Sequence, residues 1–129
     1  MNLTKRITTL ITETVSSPLK TSYIIKQGDR QVVLRPGGNY SGVDLSGLDL
    51  KGLNLNKVNL RGANLVGTNL ANAHLEFADL SGANLSGAVM SGTHLNGATI
   101  DTESLRNAVF EVAPAGISAD SLDTLKIGG

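Results

Sequence analysis

The chain has 129 residues, 11 basic and 11 acidic side chains, two histidines, and neither cysteine nor tryptophan. That length holds one domain with short flanks. The missing cysteines exclude a disulfide framework and a thiolate metal centre, and no apolar run is long enough to span a membrane. Charge is uneven: residues 1–37 carry six basic and two acidic groups, and residues 38–112 carry four and seven. Such an arrangement polarises the molecule along the chain and can orient its encounters.

The first seventeen residues include "NLTKRITTLITETVSS", with Leu3, Ile7, Leu10, Ile11 and Val15 at near-helical spacing. The spacing predicts a short helix, against the weak helix preference of its threonines. Next comes "TSYIIKQGDRQVVLRPGG". Two β-branched runs, Tyr23 to Gln27 and Arg30 to Leu34, flank Gly28-Asp29, a two-residue loop of the type II′ kind. Pro36, Gly37 and Gly38 then end the pairing. Residues 1–37 therefore read as a leader helix and a β-hairpin cap.

From Val43 to Val112 a large apolar residue recurs every fifth position, from Leu45, Leu50 and Leu55 through Met90, Leu95, Ile100 and Leu105 to Phe110. Fourteen repeats follow in one register. Five steps along a helix rotate a side chain by roughly 140°, so these leucines would spiral around it. On a flat strand, odd spacing would send them to alternate faces. The period suits a chain that bends once per repeat, so that all the leucines face one axis. A second, smaller apolar series lies two residues earlier (Ala63, Ala73, Ala78, Ala83), Asp or Asn stands between the two, and Gly commonly follows. Glycine takes positive φ freely and Asn or Asp bonds to nearby backbone, so both serve the bends.

The units "GANLV", "FADLS" and "GANLS" resemble the pentapeptide repeat family, whose unit is roughly A-(D/N)-L-x-x. The resemblance implies an all-β fold, a right-handed quadrilateral β-helix (β-solenoid) with four repeats per coil, over residues 38–112. Departures from the unit recur at twenty residues, as that coil requires: His74 and His94 replace Asn, as do Val89 and Val109, and Lys57 and Phe77 replace Gly. Residues 113–129 shift the register and read as a short C-terminal cap, either a helix from Ser118 to Lys126 or a degenerate coil.

Chemistry is sparse. His74, Glu76 and His94 are the nearest approach to a metal or acid–base cluster, and the expectation is solvent-facing histidines without a metal. The aspartates occupy positions that the repeat itself fills with Asp or Asn. Glu103 falls where a small inward residue belongs, which marks a distorted coil because an unpaired buried charge is costly. No nucleophile–base order or phosphate loop occurs, and the glycines recur as corners. The chain is thus read as no enzyme, with no cofactor.

Outward exceptions to the repeat, His74, Glu76, Phe77, Val89, His94 and Val109, form the candidate interaction surface. The expected function is a non-catalytic protein–protein interaction module with an unknown protein partner, a homodimer being left open. The family also includes DNA mimics that bind or protect type II topoisomerases, and that is the alternative. Direct nucleic-acid binding is not expected, since the basic groups lie in the N-terminal segment without interleaved aromatics. The bacterial cytoplasm is the expected location. Export is the second expectation, because the Ser/Thr-rich basic leader is similar to those of type III secreted effectors.

Overall fold

A computed structural model describes residues 7–12, 21–112 and 114–117. Its first part is an antiparallel three-stranded sheet in the order β1 (Ile7–Thr12), β2 (Thr21–Gln27), β3 (Arg30–Leu34). The hairpin forms as its sequence predicts, with Gln27 paired to Arg30 and Gly28 at φ 62°. The helix expected over the leader is absent from residues 7–12, which pair as a strand from Ile7↔Lys26 to Thr12↔Thr21. Five of the six residues of "ITTLIT" are β-branched, and such side chains favour extended backbone once a partner strand is available. Both the rest of the leader and the predicted Ser118–Lys126 helix lie outside the described residues.

Beyond β3 the chain coils. Parallel backbone pairs link residues twenty apart in four columns, which begin Asn39↔Asn59, Asp44↔Asn64, Asp49↔Asn69 and Asn54↔His74. Each coil thus has four sides of five residues. Leu45, Leu50, Leu55 and Leu60 of one coil, and Leu65, Leu70, Leu75 and Leu80 of the next, are essentially fully buried. The small series (Ala63, Ala73, Ala78) is buried beside them. Burial of each leucine contributes roughly 1.5–3 kcal/mol before chain entropy is charged against it.

One repeat, Ala63 to Gly67, shows why the sequence has this form. Four of its five N–H groups reach backbone carbonyls: Ala63 to Leu60, Asn64 to Val43, Leu65 to Asn84 and Gly67 to Ser86, at 2.8–3.0 Å. The fifth, on Val66, donates to Asn64 Oδ1 at 3.0 Å. A buried or bent backbone must find partners for all its donors, so the central Asn or Asp supplies the acceptor that the coil lacks. The bend is a turn with positive φ at its third residue, where Gly67 stands at 66°. At Asp44 and Asp79 the following serine hydroxyl, then its backbone N–H, donates to the carboxylate and holds it below the usual carboxylate range, with Arg30 and Arg61 adding to the effect.

The two ends of the coil stack depart from this scheme. On the first coil the Asn54 N–H donates to the Tyr23 hydroxyl at 3.1 Å, where later coils use a carbonyl. Arg30 donates to the carbonyls of Ser46 and Asp44 at 2.7 and 2.9 Å, while Ile25 and Leu34 join the leucine core. Near the other end the regular coil is interrupted by a short helix, α1 (Thr102–Arg106). There Glu103 turns out to solvent and pairs with Arg106 at 3.3 Å, while Leu105 stays buried. The side chain that could not go inward is accommodated by bending the backbone. Ser104 forfeits its ladder position, yet its hydroxyl still donates to the Ala83 carbonyl at 3.0 Å. A further pairing, His94↔Ala115, slips the register by one residue.

Candidate functional site

The column Asn54, His74, His94, Ala115 forms one side of the coil stack. Twenty-residue spacing places the two imidazoles one above the other, with ring centroids 4.3 Å apart and planes within 3°. Glu76 follows on the next bend, its Oε1 3.4 Å from His74 Nδ1. One ligand atom from each of His74, Glu76 and His94 can be chosen so that all three lie within 4.8 Å of one another. The group is more enclosed than the sequence suggests: the His74 side chain is 43% exposed and that of Glu76 only 26%. Glu76 Oε1 is itself buried and accepts no hydrogen bond among the described residues.

His74 does not cap its own turn as Asn does. For the turn after His74, the Glu76 N–H instead donates to Asn56 Oδ1 at 2.8 Å, reaching back one coil. The same exchange occurs after Val109, where the Glu111 N–H donates to Ser91 Oγ at 2.9 Å. Sequence reasoning missed both helpers. The signal was a polar residue at a bend twenty residues before a turn whose own cap is missing.

Phe77 lies at the corner beside Glu76, 65% exposed. Its backbone φ is 62°, a conformation shared among non-glycines with Lys57 and Asn72 among the described residues. Asn72 is a third departure from Gly that the sequence reading passed over. The Phe77 ring lies over Gly97 on the next coil: a Cβ at Gly97 would sit 2.5 Å from two ring carbons. Val89 and Val109 occupy a different column, continuing Asp49 and Asn69. Val109 is 50% exposed and Val89 half-buried. The structure thus brings His74, Glu76 and His94 together, sets Phe77 at their margin, and leaves the valines on the preceding side.

The sequence profile described as pentapeptide repeats matches this chain in eight copies, over residues 39–76 and 68–101. A pentapeptide repeat protein from Nostoc Pcc 7120 is 30% identical over 69% of this chain and 74% of its own, with a TM-score of 0.40. The chain belongs to the pentapeptide repeat family. That family's fold is a right-handed quadrilateral β-helix, in keeping with the four pairing columns. The pentapeptide repeat protein is also similar to one from the Arabidopsis thaliana thylakoid lumen, at 26% identity over 69% of this chain and 74% of that one, with a TM-score of 0.31. Similarity to one from the cyanobacterium Cyanothece 51142 reaches 35% over 57% of each chain, with a TM-score of 0.21. No curated protein gives a significant match.

Proposed function

We propose that this pentapeptide repeat protein is a rigid, non-catalytic protein-interaction module that presents His74, Glu76, Phe77 and His94 to a protein partner. The observation that carries the reading is Phe77. A bulky L-residue at φ 62° costs about 1–2 kcal/mol relative to ordinary backbone, a cost that Lys57 and Asn72 share and that the following turn at Gly82 and the stacked turn at Gly97 avoid. The fold gains little from a ring left 65% exposed. Strain and an exposed aromatic in one place fit a contact residue, since interface anchors are enriched in large rings. In this reading the N-terminal hairpin closes one end of the rod, and its sides carry the variable residues.

The test is affinity capture from lysate of the source cells with wild type and Phe77→Asp. Asp tolerates positive φ, so thermal melting should show both proteins folded. The expected result is a partner retained by wild type and lost by the variant. Identical captured proteins for both would sink the reading, and light-scattering mass on the same samples shows whether that partner is a second copy.

A further inference from the structure

We propose that His74, Glu76 and His94 form a binding site for a divalent transition-metal ion of the zinc type. The inference stands on side-chain geometry and does not rest on the partner reading. Its starting point is the pair His74 Nδ1 and Glu76 Oε1, 3.4 Å apart. Two ligands held ~2.0–2.1 Å from a tetrahedral zinc lie about 3.3 Å from each other. That pair therefore already has the separation of two ligands on one ion. The third ligand comes from His94, with all three atoms within 4.8 Å of one another. Its ring is half-buried and lies parallel to that of His74, so closing the remaining gap takes rotation of the His94 imidazole out of the stack.

Independent observations converge on this spot. Glu76 Oε1 is buried and accepts no hydrogen bond among the described residues, its ionisable neighbour being His74 Nδ1 at 3.4 Å; with His74 neutral, as a metal ligand must be, a cation supplies the partner that this oxygen lacks. Both histidines also replace the residue type that caps its own turn elsewhere in the coil, as Asn54 caps the Asn56 N–H and Asn69 the Ala71 N–H. The sequence thus gives up that capping residue type twice, twenty residues apart, and places the two resulting imidazoles beside a carboxylate. Two imidazoles and one carboxylate are a zinc-type donor set, and they leave a fourth position for water or a group from outside. The oxygen-rich shells that calcium or magnesium require are not what this set offers.

The chain contains only two histidines, so the assay is clean on tag-free, full-length protein. Zinc chloride alone is titrated by calorimetry in a non-chelating buffer. The expected result is one ion per chain with a dissociation constant on the order of micromolar. His74→Asn and His94→Asn restore the repeat's own residue and so keep the fold, which circular dichroism checks. Each should weaken binding by at least about tenfold, and Glu76→Gln should do the same. Cobalt(II) should give visible absorption bands of a low-coordinate site in wild type and lose them in His94→Asn. No binding at millimolar zinc, or binding unchanged in the three variants, would overturn the proposal.

Discussion

At the scale of the residue, the structure ties side chains that lie twenty positions apart. Gly97 is glycine for two separable reasons: its φ of 76°, and the Phe77 ring where its Cβ would stand. Gly97→Ala should therefore cost about 2–3 kcal/mol, of which ~1 kcal/mol is the backbone term. In a Phe77→Gly background the ring is gone and only the backbone term remains. The two substitutions should consequently couple by about 1–2 kcal/mol in urea unfolding, the amount expected of residues in contact. Additive effects would mean that the ring does not rest there in solution. Gly92 repeats the theme, since its Cβ would meet the Asn72 side-chain oxygen. A non-glycine on one coil thus constrains the residue above it.

At the scale of the element, the unit of construction is a bend with its cap, and caps can be lent between coils. Asn56 lends its oxygen to the Glu76 N–H where His74 does not supply an acceptor. Asn56→Ala should cost about 1 kcal/mol, the usual worth of such a hydrogen bond. His74→Asn lets residue 74 cap its own turn, so the loss from Asn56→Ala should fall toward zero in that background. Chemical denaturation of the four proteins checks it, and an equal loss in both backgrounds would show that Asn56 stabilises by another route. This dependence on coil-to-coil geometry also explains what could be read in advance. The leucine columns, the glycine bends and the stacking of His74 on His94 all follow from one period, so they were legible. β1 was not, because the apolar spacing of "ITTLIT" also fits a helix and only pairing with β2 decides the matter. Glu103 could be recognised as unfit for the interior, but α1 as the backbone's answer could not. The enclosure of Glu76 was hidden too, since it depends on how the side chains of neighbouring bends lie against one another.

At the scale of the whole molecule, a stack of coils behaves as a one-dimensional array in which each layer is held by the layers beside it. Protection of amide hydrogens should then be highest in the middle coils and fall toward the ends, where opening needs fewer contacts to break. α1 adds a sharper feature to that gradient. Leu80 and Met90 donate to the carbonyls of Thr99 and Val109 in the next coil, at 2.7 and 2.8 Å. Leu85 lies between them and is as deeply buried, but its column is interrupted by α1: among the described residues no pairing joins Asn84 to Ser104. Burial being nearly equal, the missing bond at Leu85 itself is the variable that the comparison tests. The Leu85 amide should exchange at least about tenfold faster than those of Leu80 and Met90, a gap of ~1.4 kcal/mol in local opening energy. Native-state exchange followed by NMR resolves the three sites individually. Equal protection would mean that the coil closes over Leu85 in solution and that α1 is no break in the array. The faster exchange would instead mark the side of the rod where Ser104 and α1 replace the ladder as its weakest seam, away from the His74–His94 column.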